Sequence, residues 1–139
     1  MTKRILIIGG YGNFGSFISR TLAKEDNICV IVAGRSIEKA QALADEINGE
    51  AAQLDIKAGF AEALTRLKPD IVIHTSGPFQ AQGYDVAKAC IEAGAHYIDL
   101  ADGREFVEGI TALEKTAKDK GVFVISGASS VPCLTSALV

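Results

Sequence analysis

"KRILIIGGYGNFG", residues 3 to 15, sets a nearly unbroken apolar run directly against four glycines in seven residues. A continuous apolar run rich in β-branched residues is what a strand looks like when both faces of its sheet are covered. The segment that follows, "FISRTLAKE" (17–25), alternates apolar and polar positions at helical spacing. Gly10, Gly12 and Gly15 therefore form G-x-G-x-x-G between a strand and a helix, the context in which that spacing carries meaning. In such a turn the first glycine permits the tight bend, the second lets backbone approach a pyrophosphate, and the third lets helix pack on strand. The helix N-terminus adds unpaired N–H groups and a partial positive charge for the phosphates. The competing reading is a glycine-rich turn without a ligand; the strand–turn–helix context favours dinucleotide binding.

The same alternation continues along the chain. Apolar runs at 4–8, 28–33, 51–55, 70–75, 96–100 and 122–126 read as strands, and amphipathic stretches at 13–25, 36–47, 59–67, 83–93 and 103–119 read as helices. Gly49, Gly94 and Gly121 fall where helix C-terminal glycines belong, and Ser36 suits an N-cap. Six strands joined by five helices predict an α/β, doubly wound parallel sheet of the Rossmann kind, order 3-2-1-4-5-6, with helices on both faces.

At 139 residues the chain has the size of one domain, 1–139. Seventeen acidic against fourteen basic residues leave a net charge of -3, with no basic stripe to attract nucleic acid. No apolar run approaches the roughly 20 residues that span a bilayer, so no membrane partner is expected and the protein reads as cytoplasmic. Cys29, Cys90 and Cys133 form no C-x-x-C pair, and His74 and His96 are the only histidines, so no metal site is expected. The closing "SSVPCLTSALV" resembles the first turns of an apolar helix with Pro132 near its start. That pattern predicts the N-terminal part of a longer two-domain protein, its apolar face open to hiding by homodimerisation; a short native C-terminal helix is the alternative.

Which dinucleotide is bound depends on the end of the second strand, where an acidic residue would accept hydrogen bonds from the adenosine ribose. Here the sequence is "AGRS" (33–36). Arg35 offers a planar guanidinium to a phosphate, and Ser36 a hydroxyl beside a helix start. These residues predict NADP over NAD. Asp55 and Ile56, after the third strand, are placed to flank the adenine, with Asp55 as a helix cap the equal alternative. "TSGPF" (75–79), after the fourth strand, borders the pyrophosphate and nicotinamide ribose in such folds, and "SGASS" (126–130) lies near the nicotinamide.

Gly9, Gly12 and Gly15 also satisfy G-x-x-G-x-x-G of extended and atypical short-chain dehydrogenases, and Tyr84 with Lys88 matches their Y-x-x-x-K pair, with Ser76 upstream. In that family the pair lies on the helix after the fifth strand, whereas here it follows the fourth. The plainer reading is a helix-start tyrosine and a solvated lysine. His74 and His96 lie in strands and read as core or rim residues. Asp99 and Asp102 flank the end of the fifth strand at the cleft edge, where a substrate could approach, though Asp102 could equally cap a helix. Cys133 has no base beside it, and no catalytic residue is assigned.

Together, "GGYGNFG", "VAGRS", "PDIVIHTSGPFQAQGYDVAKACIEAGAHYIDLADG" and "SGASSVPCLTSALV" resemble the N-terminal NADP-binding domain of the saccharopine dehydrogenase family. The resemblance covers essentially the whole chain, and the run from the fourth to the fifth strand is its most specific part. It implies an NADP(H)-dependent oxidoreductase acting on a small-molecule substrate, in which this domain holds the cofactor and a second domain supplies most substrate contacts. The isolated domain would then turn over little or nothing. By the same resemblance Gly10, Gly12, Asn13, Phe14 and Gly15 line the pyrophosphate, Arg35 and Ser36 the 2′-phosphate, and Ser76, Gly77, Pro78 and Phe79 the nicotinamide-side ribose. A non-enzymatic NADP-binding sensor or interaction module, and an atypical short-chain dehydrogenase, are the competing functions.

Overall fold

The computed structural model describes residues 2–75, 84–100 and 109–127. Strands β1 (Lys3–Ile8), β2 (Ile28–Gly34), β3 (Glu50–Gln53), β4 (Ile71–His74), β5 (His96–Asp99) and β6 (Val124–Ile125) form one sheet in the order β3-β2-β1-β4-β5-β6. Every pairing is parallel. Helices α1 (Asn13–Leu22), α2 (Ile37–Ile47), α3 (Phe60–Leu67), α4 (Asp85–Glu92) and α5 (Glu114–Lys120) make the crossovers, α5 being entered through a 3₁₀ turn at Ile110–Leu113. The fold class and strand order are those expected from the sequence.

The two-residue period of a strand divides β1 between two cores. Leu6 and Ile8 join Ile31, Val72 and Tyr97 beneath Phe60, Leu64, Cys90 and Ile91, which come from α3 and α4. Ile5 and Ile7 join Val30, Val32 and Ile73 beneath Ala40, Leu43 and Ala44 of α2. Burial on both faces explains why the central strands are apolar throughout instead of alternating.

At the N-terminal edge of the sheet, Arg4 bonds Glu50 through both guanidinium ends, at 2.7 and 3.3 Å, and donates to the Leu67 carbonyl at 3.0 Å. The Asp70 carboxylate accepts from the Arg4 backbone N–H at 2.8 Å. These contacts tie β1, β3 and the approach to β4 at the end opposite the glycine turn. Hydrogen bonding to Arg4, and then to Cys29, holds the Glu50 carboxyl below its usual range.

Element ends differ from expectation in informative ways. Helix α1 stops at Leu22, three residues early, and the chain leaves through turn bonds from Lys24 to Thr21 and from Glu25 to Leu22. Strand β3 begins at Glu50 and ends at Gln53, before the expected Leu54 and Asp55. Gly94 and Gly121 take the left-handed conformation expected of them, at φ +76° and +71°. At the end of α2, however, that conformation belongs to Asn48 (φ 58°). Asn tolerates it better than most residues, and Gly49 is needed for another reason: a Cβ there would lie 2.6 Å from the Val30 carbonyl oxygen.

Two stability changes follow. Leu6→Ala, at a fully buried position, should cost about 2–5 kcal/mol. Gly94→Ala meets no atom within 4 Å but keeps its positive φ, and should cost about 1–2 kcal/mol. Urea unfolding of both proteins measures the difference, and equal losses would contradict this account of the two positions.

Candidate functional site: the glycine turn and the ends of β1 to β4

The turn after β1 is built on Gly9, whose φ of +76° reverses the chain. The Gly9 and Gly10 N–H groups both donate to the Ala33 carbonyl, at 2.8 and 3.1 Å, which fastens the turn to β2. The Gly12 N–H donates back to the Gly9 carbonyl at 2.9 Å. On the other side, the Thr75 hydroxyl donates to the Ile8 and Gly9 carbonyls at 2.7 and 3.2 Å, which fastens it to the end of β4.

The glycines then serve different purposes. Gly10 is buried, and a Cβ there would lie 3.0 Å from both the Ile7 carbonyl oxygen and Val32 Cγ1. The buried Ser19 hydroxyl donates to the Gly10 carbonyl at 3.0 Å. Gly15 is also buried and lies so close to the Gly9 backbone that a Cβ would be 2.8 Å from the Gly9 carbonyl carbon. Gly12 differs from both: it is exposed, it is the N-cap of α1 with an ordinary φ of -74°, and it provides no capping side chain. The first N–H groups of a helix have no partner within it, so α1 presents its positive end over an open glycine. Beside it Asn13 and Phe14 are exposed, Phe14 to 73%.

β2 ends at Gly34, where Arg35 and Ser36 enter α2. Arg35 is exposed, and its carbonyl accepts from Gln53 Nε2 at 3.2 Å. Ser36 is the N-cap of α2 as expected, its Oγ accepting from the Lys39 N–H at 3.3 Å. Asp55 is exposed and Ile56 packs partly against the core. Asp55 does not cap α3, whose N-cap is Gly59. Its carboxylate instead accepts from the Lys57 N–H at 2.9 Å, and its backbone carbonyl accepts from the Ala58 N–H at 3.2 Å to close a tight turn. Gly9 to Gly15, Arg35, Ser36, Asp55 and Thr75 thus gather along the C-terminal ends of β1 to β4. In this strand order the topological switch point falls between β1 and β4, the place where such sheets take ligands. Ser76, Gly77, Pro78, Phe79 and Asp102 lie outside the described residues, as do Pro132 and Cys133.

The acid–base candidates are committed to structure. Asp99 is fully buried and accepts from the Tyr97 hydroxyl at 2.7 Å, the Ser126 hydroxyl at 2.8 Å and the Gly127 N–H at 3.0 Å. The expectation that Asp99 meets substrate at the cleft edge gives way to a clamp joining β5 to the segment after β6. Burial, and then the Asp99 charge, push the Tyr97 phenol well above its ordinary pKa, so it remains a donor. His74 is buried, and His96 stacks on Phe123 with ring centroids 4.1 Å apart while its Nδ1 accepts from the Phe123 N–H. Cys90 is buried and pushed up to about 12, so it is a thiol at neutral pH. Tyr84 is half-buried against the larger core while Lys88 is exposed, in keeping with their plainer reading. No group of three metal-ligating side chains occurs among the described residues.

Tyr11, between the first two glycines of the motif, is the site residue that sequence reasoning passed over. Its ring lies across Gly34, where an added Cβ would come within 2.6 Å of the phenol oxygen, and that oxygen accepts the Ser36 N–H at 3.0 Å. The available signal was the glycine at the last position of β2, opposite a bulky residue in the neighbouring turn.

The turn predicts a contrast. Gly15→Ala should destabilise the protein by about 1–3 kcal/mol, because backbone must move to admit the methyl group. Gly12→Ala, whose Cβ would meet only the Gly9 carbonyl oxygen at 3.3 Å, should cost less than about 1 kcal/mol. Chemical denaturation of the two variants checks the order.

Comparison with known proteins agrees with this geometry. Residues 5–125 match the family described as "Saccharopine dehydrogenase NADP binding domain". A saccharopine dehydrogenase-like oxidoreductase of Mus musculus is 29% identical over 92% of this chain and 35% of its own length. A trans-acting enoyl reductase of Mycobacterium ulcerans is 27% identical over 92% of this chain and 33% of its own. Among solved structures, saccharopine dehydrogenase (L-Glu forming) from Saccharomyces cerevisiae superposes with a TM-score of 0.74 at 27% identity, covering 90% of this chain and 27% of that one. The chain spans about a third of the length of the curated relatives it matches. With its glycine turn, strand order and matched span in agreement, the chain belongs to the saccharopine dehydrogenase NADP-binding domain family.

Proposed function

We propose that this chain is the NADP(H)-holding domain of an oxidoreductase that transfers hydride to or from a small-molecule substrate. The observation that carries the reading is the open N-terminus of α1 over Gly12, with Arg35 and Ser36 across the turn and no acidic side chain at the end of β2. The residues fit a dinucleotide phosphate: Gly12 is the one glycine of the motif whose side-chain position faces outward, so a bound group can lie against its backbone.

Bound NADP(H) would supply the hydride donor or acceptor. This chain would bind and orient it: the turn and the first N–H groups of α1 hold the pyrophosphate, and Arg35 with the Ser36 hydroxyl holds the 2′-phosphate. Thr75 fixes the floor between β1 and β4. Substrate alignment is a separate demand, because reacting atoms must be held at roughly 3–3.5 Å. In this reading it falls largely to the remaining length seen in the relatives. A cytoplasmic location belongs to the same reading.

Calorimetric titration with NADP+ and NAD+ tests it. NADP+ should bind more tightly, and Arg35→Ala should weaken NADP+ by roughly 10-fold or more, the loss expected for one charge-assisted hydrogen bond, while changing NAD+ little. Equal loss for both nucleotides would remove Arg35 from the 2′-phosphate, and binding of neither would overturn the dinucleotide reading.

A further inference from the structure

We infer that Tyr11 and Lys39 belong to the specificity site for the adenosine 2′-substituent, the phenol as a fixed donor and the ammonium as a second cation; the inference rests on the NADP reading above.

Tyr11 is held at its ring and at its oxygen. Its ring covers Gly34, the last residue of β2, which has no side chain to displace it. Its oxygen accepts the Ser36 N–H at 3.0 Å. One lone pair and the orientation of the oxygen are thereby fixed, and the hydroxyl's own proton is left to donate elsewhere. A phosphate has only acceptors for such a donor, so the phenol pairs better with a 2′-phosphate than the ribose hydroxyl of NAD would require.

Its position bears on the same point. Tyr11 joins the glycine turn, where a pyrophosphate would lie, to the start of α2, where Arg35 and Ser36 lie. An adenosine ribose connects those two places in a dinucleotide laid across the sheet edge. The ring therefore stands beside the ribose, with its oxygen at the 2′ side.

Lys39 supplies the second cation. Its Nζ is 6.0 Å from the Tyr11 ring centroid, at the outer limit of a cation–π contact. Both residues line a groove of about 330 Å³ between α1 and α2, with Ser16, Leu43 and the Arg20–Glu46 pair. Arg20 Nε bonds Glu46 at 2.6 Å, so the one carboxylate lining the groove among the described residues is already balanced by a guanidinium. Lys39 can thus face a phosphate beside the Tyr11 ring without an opposing charge from Glu46.

The experiment titrates the protein with NADP+, NAD+ and adenosine 2′-monophosphate, as wild type, Tyr11→Phe and Lys39→Ala. Tyr11→Phe keeps the ring over Gly34 and removes only the hydroxyl. It should weaken NADP+ and the 2′-monophosphate by about 10-fold, as expected for a charge-assisted donor, and NAD+ by less than about 3-fold. Lys39→Ala, on an exposed helix face, should weaken the two phosphorylated ligands and make their affinity less sensitive to salt. If wild type prefers NADP+ and both variants keep that preference, the role of Tyr11 and Lys39 is overturned while the NADP reading stands. If wild type binds neither dinucleotide, both fail. Should Tyr11→Phe unfold, as judged by circular dichroism, Lys39→Ala alone decides the claim, and an unchanged preference overturns it.

Discussion

Everything at the ligand edge depends on one contact between backbones: the approach of α1, at Gly15, to the turn residue Gly9. No Cβ fits between them. That closeness sets the helix directly above the end of β1, so its positive end opens at the sheet edge instead of over solvent beyond it. The neighbouring strands then attach to the same turn. Ala33 of β2 receives both the Gly9 and Gly10 N–H groups, and Thr75 at the end of β4 donates to the Ile8 and Gly9 carbonyls. Three central strands and one helix are located by a turn of a few residues. The apolar faces beneath supply the driving force, since burial is non-directional, while the glycines supply the geometry.

The two edges of the sheet are finished in opposite ways. At the N-terminal edge, Arg4, Glu50 and Asp70 satisfy one another and the adjoining backbone. At the C-terminal edge, β1 runs straight into Gly9, β2 ends at Gly34, and α1 begins without a side-chain cap. The exception is the β5–β6 side, where buried Asp99 gathers Tyr97, Ser126 and Gly127. A buried carboxylate is tolerated because its lone pairs are occupied by donors. The cluster thus closes one half of the edge by internal bonding and leaves the β1–β2 half open to a ligand.

The fold was readable because its signal is repetitive. Apolar strands and amphipathic helices alternate, and no local feature contradicts the parallel order. What escaped the sequence were features set by neighbours far along the chain. Gly49 reads as a helix-ending glycine, but Asn48 takes that conformation and Gly49 answers to the Val30 carbonyl. Asp99 reads as a cleft residue because it ends a strand; only its partners 27 and 28 residues later reveal a clamp. In the site, the glycine spacing and Arg35–Ser36 were legible from local pattern. Tyr11 was not, because its meaning depends on Gly34, and a glycine ending a strand has many causes.

The division of labour within the site follows from the same facts. A general acid or base needs a proton that can be exchanged with a bound molecule. Among the described residues near this edge, Asp99 is buried under donors from Tyr97, Ser126 and Gly127, the Tyr97 proton is given to Asp99, and His74 is sealed in β4. His96, with Nδ1 bonded to backbone and its ring stacked on Phe123, serves the β5–β6 pairing. Around the glycine turn, the groups near α1 and the start of α2 are suited to holding anions: helix N–H groups, Arg35, the Ser36 hydroxyl and the Tyr11 phenol, with the exposed Asp55 carboxylate at the end of β3 occupied by the Lys57 N–H. Under the proposed function, such a set would bind and orient a phosphorylated cofactor. That is the physical reason why the proposed function gives this chain the holding of the cofactor and leaves the chemistry to the cofactor.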